Sequence, residues 1–114
     1  MTLPARIFRA RKKDTRLRSP QHLAWIRTFA CCVPMCNEEG KIEAHHVKGA
    51  EPMALGRKPG DNWCVSCCVF HHREFHSIGL HAFEKKYGLD LIALAKEFAD
   101  TSPSLKRLRA SQSV

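Results

Sequence analysis

A chain of 114 residues has room for one small domain, and its 44% hydrophobic content includes six cysteines, so the core is thin and gains from a metal or disulfide staple. Nineteen Lys and Arg against eleven Asp and Glu give a net charge of +8 and a pI near 9.5, which suits a polyanionic partner, nucleic acid first. No apolar run nears the ~20 residues of a membrane span and no apolar leader opens the chain, so a cytoplasmic protein without membrane contact is expected.

Residues 1–18 carry Arg6, Arg9, Arg11, Lys12, Lys13, Arg16 and Arg18 against Asp14 alone, with no apolar periodicity. They read as a basic arm that settles on a phosphate backbone. Ser19-Pro20 supplies an N-cap and a first helical residue, and Leu23, Ile26 and Ala30 continue a short helix from about 20 to 30. Its aromatic residues Trp25 and Phe29 are expected in the core. After Cys31-Cys32-Val33-Pro34-Met35-Cys36 and a turn ending at Gly40, residues 41–47 alternate as a strand. Gly49, Pro52, Gly56, Pro59 and Gly60 make 48–60 a long loop. A returning strand is predicted over 62–66 and a short helix from about 70 to 77. Two amphipathic helices follow, one on Leu80, Phe83 and Tyr87, the other on Leu91, Leu94, Ala95 and Phe98 with Asp90 as its cap. The chain thus divides into an arm (1–18), a single domain (19–100) and a polar, basic tail (101–114) containing Lys106, Arg107 and Arg109.

Cysteines in a reducing cytoplasm are metal ligands before they are bridges, and seven histidines accompany these six. His72 and His76, four apart on a helix, stack on one face and can grip one ion. His45 and His46, adjacent on a strand, point to opposite faces, so one can bind metal while the other meets a substrate. Separately, Cys31 and Cys36 flank a turn, and Cys68 and His71 form a Cys-x2-His element. These four have the composition of a closed structural zinc knuckle. Cys32 can replace Cys31 in it, and Cys64 with Cys67 forms a competing Cys-x2-Cys pair.

The ordered set Cys-x4-Cys, Glu43-Ala44-His45-His46, Leu55-Gly56-Arg57-Lys58 and Cys68-Val69-Phe70-His71-His72-Arg73-Glu74-Phe75-His76 resembles the HNH (His-Asn-His, ββα-metal) endonuclease family over residues 31–77. Small phage and prophage HNH proteins, with Ala-His-His followed by Cys-x2-His-His-x3-His, are the most similar. The resemblance implies an α+β fold: a small ββα-metal core over about 41–77, a structural zinc knuckle and flanking helices. It further implies His46 as general base, His45, His72 and His76 as ligands of a catalytic divalent ion (Mg, Mn, Ni or Zn), and Cys31, Cys36, Cys68 and His71 as structural zinc ligands. A phage or prophage origin would place the protein in a bacterial cytoplasm. The family's commoner pattern has an asparagine nine residues before the first helix ligand to orient the base, but Trp63 stands there. Asn62 is the preferred substitute, with Asp61 beside it able to hold a loop or a histidine in place.

The residue types suit phosphodiester hydrolysis in DNA. An imidazole of ordinary pKa near 6.5 takes a proton from water at neutral pH, and a divalent ion neutralises charge on the phosphate and the leaving oxygen. Arg57, Lys58 and Arg73 are candidate contacts to the nucleic-acid backbone. The competing expectations are a non-catalytic zinc-stabilised nucleic-acid-binding module and a recombination accessory factor with a vestigial site. A pure zinc knuckle, however, has no use for His45-His46 beside His72 and His76.

Overall fold

The computed structural model describes residues 16–38, 40–50 and 58–112, so arm residues 1–15 and Arg57 lie outside the described residues. Within them the protein is α+β, with two strands and five helices. Helix α1, Pro20–Ile26, starts where Ser19 Oγ accepts the His22 N–H at 3.2 Å and Pro20 occupies the first turn. It ends four residues before the expected limit, and Trp25, Phe29 and Phe98 meet edge to face with centroids 4.8–6.0 Å apart.

Strand β1, Ile42–His46, pairs antiparallel with β2, Cys64–Cys68, in the register Ile42↔Cys68 to His46↔Cys64. The returning strand begins two residues later than its alternation suggests, because Asp61–Trp63 first makes a turn of 3-10 helix. β2 runs straight into α2, Val69–Ile78, with Cys68 as cap residue, its sulfur accepting the His71 N–H. A hairpin followed by a helix therefore brings residues 42–46, 64–68 and 69–78 against one another.

Helix α3, Leu80–Tyr87, and α4, Leu91–Thr101, fall where amphipathic spacing puts them. Gly79 and Gly88, which bound α3, have φ of 86° and 64°, the left-handed region that glycine enters without strain. Asp90 caps α4 by accepting the Ala93 N–H at 3.0 Å. The core gathers Val33, Val47, Val65, Phe75, Phe83, Leu91 and Ala95 between hairpin and helices. The tail expected after residue 100 departs from its reading: Pro103–Gln112 forms α5. Leu105 is buried, and Ser102 Oγ, ahead of the helix, lies 2.7 Å from the buried His22 Nδ1. No helix among the described residues is long and apolar enough to cross a membrane.

Candidate metal centres

Two groups of metal-ligating side chains meet at the junction of β2 and α2. In the first, Cys31, Cys36, Cys68 and His71 bring their ligand atoms within 4.8 Å of one another. His71 Nδ1 lies 3.1 Å from Cys68 Sγ, 3.5 Å from Cys36 Sγ and 3.6 Å from Cys31 Sγ, and the Cys36 and Cys68 sulfurs are 3.9 Å apart. Met35, at φ 59°, turns the chain between the first two cysteines. Cys68 and His71 come from the β2 end and the first turn of α2. Burial pushes the Cys31 thiol up to about 12, so a metal entering here must displace its proton. The donors are soft sulfurs and one borderline nitrogen, the set that a tetrahedral zinc ion takes.

The second group is His45, His72 and His76, whose ligand nitrogens also lie within 4.8 Å of one another. The ring centroids of His45 are 4.3 Å from His72 and 5.4 Å from His76, and the Nε2 atoms of His72 and His76 are 3.1 Å apart. Strand alternation aims His45 at α2, and the four-residue helical spacing stacks the other two opposite it. His45 is 1% exposed, and among the described residues neither of its ring nitrogens has a hydrogen-bond partner. Two orphaned nitrogens on a buried ring are costly unless something coordinates one of them. Burial first, then the neighbouring imidazoles, hold the His45 ring neutral by lowering its pKa to about 3, the protonation state a metal ligand requires.

Two carboxylates hold imidazoles in this region, Glu43 with no sequence signal and Asp61 as the alternative that stood beside the preferred Asn62. Glu43, two residues before His45 on β1, accepts from His72 Nδ1 at 2.9 Å. That bond fixes the tautomer leaving His72 Nε2 free toward His45 and His76. Nothing in the spacing marked Glu43 for this position, although its i, i+2 relation to His45 places it on the same strand face. Asp61 replaces the preferred Asn62 as partner of His46: Asp61 Oδ1 lies 2.8 Å from His46 Nε2. Asn62 instead lines a cavity with Trp63, Lys96 and Arg109. In a 3-10 turn successive side chains diverge by a third of a circle, so neighbours face different surroundings. Asp61 also accepts the Ser19 N–H at 2.7 Å and has Arg18 at 3.5 Å. Burial alone raises its carboxyl, but the bonds from His46 and Ser19 and the Arg18 charge outweigh it and hold it below the usual carboxylate range.

His46 ends β1 on the face opposite His45, with its side chain 18% exposed. The cleft beside His76 is lined by Lys48, Gly49, Phe75, Gly79 and Leu80. Lys48, which carried no sequence signal, is thus the cation nearest the imidazole group in that cleft. Of the expected backbone contacts, Arg73 is exposed on α2 and lines a different cavity with Lys41, Cys68 and Phe70. Lys58 is exposed, and its carbonyl accepts from Arg16 at 2.9 Å. Neither lines the cleft beside His76.

The family described as "Protein of unknown function (DUF968)" matches residues 2–105. The chain is also 32% identical over 91 residues to "Uncharacterized protein YdfU" of Escherichia coli (strain K12), a match covering 80% of this chain and 23% of that protein. The chain therefore spans about a quarter of that relative's length. No solved structure matches.

Proposed function

The chain belongs to the DUF968 family, and on the arrangement of its imidazoles we propose that it is a metal-dependent endonuclease of the HNH type, hydrolysing phosphodiester bonds in DNA. The observation that carries the reading is the convergence of His45, His72 and His76 within 4.8 Å, with a fourth imidazole, His46, excluded from the group and held by a carboxylate. In this reading Cys31, Cys36, Cys68 and His71 hold a structural zinc that staples the thin core, and the hairpin with α2 is a ββα-metal core.

The chemistry follows from the ring nitrogens. His46 donates Nε2–H to Asp61, which leaves Nδ1 to take a proton from water, and the Asp61 carboxylate stabilises the imidazolium that forms. His45, His72 and His76 would hold a divalent ion, which would supply Lewis acidity for phosphodiester hydrolysis. Glu43 keeps His72 in the ligating tautomer, and Lys48 offers a cation to the phosphate from the cleft beside His76. Three imidazole nitrogens suit nickel or zinc better than magnesium or manganese, which prefer oxygen ligands. The charge of +8 and the basic arm supply sequence-independent affinity for the polyanion.

The test is nicking of supercoiled plasmid with each divalent ion, beside a chelator control and His46→Ala. The expected outcome is ion-dependent nicking by the wild type, abolished by the chelator, with His46→Ala slower by about 10²–10⁴-fold and still binding DNA. A wild type that binds DNA and nicks it with no ion overturns the enzyme reading in favour of a binding module.

A further inference from the structure

Cys32 and Cys67 take no part in the knuckle, yet their sulfurs are not scattered through the core. With Cys31 they form a further group whose ligand atoms all lie within 4.8 Å of one another. The backbone explains the gathering. The Cys32 N–H donates to the Ser66 carbonyl at 2.8 Å, laying this segment along the edge of β2 that β1 leaves open. Cys67 follows Ser66 in the strand and is 1% exposed, while Cys32 is half-buried. Neighbouring strand residues face opposite sides, so Cys67 turns away from Cys68. The Cys31 sulfur belongs to both groups at once.

We propose that Cys31, Cys32 and Cys67 form a second thiolate metal site, specific for a soft d10 ion of the Cu(I) class, with Cys31 bridging to the knuckle ion. The donor set selects the ion. Among the described residues three sulfurs converge with no fourth ligand in their group, whereas a structural zinc ion takes four. An all-thiolate, three-donor pocket suits a soft monovalent ion instead. Cu(I) would take Cys32 and Cys67 as thiolates beside a Cys31 thiolate shared with the knuckle zinc, displacing whatever thiol protons they carry. The proposal rests on the zinc knuckle but not on the nuclease reading.

The experiment is an anaerobic titration of the zinc-loaded full-length chain with Cu(I), supplied as the complex of a competing chelator. Zinc content is measured first, so that failure of the knuckle shows as a zinc-free chain before copper is added. One Cu(I) per chain is expected to be retained with the zinc still bound, and X-ray absorption should show copper surrounded by sulfur alone. Cys67→Ser and Cys32→Ser are each expected to weaken Cu(I) retention at least tenfold while keeping zinc, and Cys31→Ser to weaken both metals. Where Cys67→Ser fails to fold, the half-buried Cys32→Ser carries the comparison. Displacement of zinc by copper one for one, nitrogen in the copper shell, or unchanged Cu(I) retention in Cys32→Ser overturns the proposal.

Discussion

Adjacent residues of α2 serve two groups of opposite character: His71 faces three sulfurs, while His72 and His76 face another imidazole. The first group is closed. Its four ligand atoms lie within 4.8 Å of one another, the number a structural zinc ion takes, and Cys68 and His71 are buried. Among the described residues the second has three nitrogens, with His76 exposed beside a cleft and the Glu43 carboxylate bonded to His72, while Asp61 holds the excluded His46. In the proposed function this difference separates stability from reactivity within one turn of helix: a four-donor soft shell would hold the hairpin to the helix, and a three-nitrogen borderline shell would leave its ion open to a ligand.

The largest effect expected from that contrast is on folding. Cys68→Ser removes a knuckle ligand at the residue that also caps α2, and should release the zinc and lower the melting temperature by about 10 °C or more, since 1 kcal/mol moves a domain this size by ~4–8 °C. His72→Ala should leave the melting temperature within a few degrees and abolish nicking. Thermal unfolding with metal analysis reads both, and equal losses of stability would erase the distinction between the groups.

Smaller effects sharpen the open site. Asp61→Asn should slow cleavage by roughly tenfold or more, because the partner of His46 loses its charge. It also has a signature in stability. The folded Asp61 carboxyl titrates below its unfolded range near 3.9, so its contribution is complete above that pH and is lost as pH falls through the lower folded value. Acid unfolding of Asp61→Asn should lack that component, and an unchanged acid limb would remove Asp61 as the carboxylate held by these bonds. Glu43→Gln should weaken the imidazole group's metal affinity by about 10–100-fold, read by calorimetry with the knuckle already filled, and leave zinc in the knuckle untouched.

What the sequence made legible was whatever repeats with a period. The i, i+4 spacing of His72 and His76, the alternation of His45 and His46, and the apolar spacing of α3 and α4 each report one face of a regular element. Contacts made outside such periods were not legible. Helix α5 has a weak apolar pattern and is anchored at its start by Ser102 against His22, a contact spanning 80 residues. Glu43 is an ordinary strand carboxylate until His72 arrives from a different element. The six cysteines could be divided several ways by spacing, and only the structure places Cys36 and Cys68 with His71 and Cys32 with Cys67, Cys31 being common to both groups.

Asn62 tests the same lesson with the smallest effect. The resemblance made it the preferred substitute for the orienting asparagine, yet it follows Asp61 in a 3-10 turn and lines the cavity beside Trp63, Lys96 and Arg109. Asn62 takes no part in the Asp61–His46 bond of 2.8 Å or in either ligand group. Asn62→Ala should therefore keep kcat for nicking within about twofold, where removal of a group that positions a general base costs tenfold or more. A loss in kcat comparable with that of Asp61→Asn, at unchanged zinc content, would transfer the orienting role back to Asn62 and require the turn to present both side chains to His46 during catalysis.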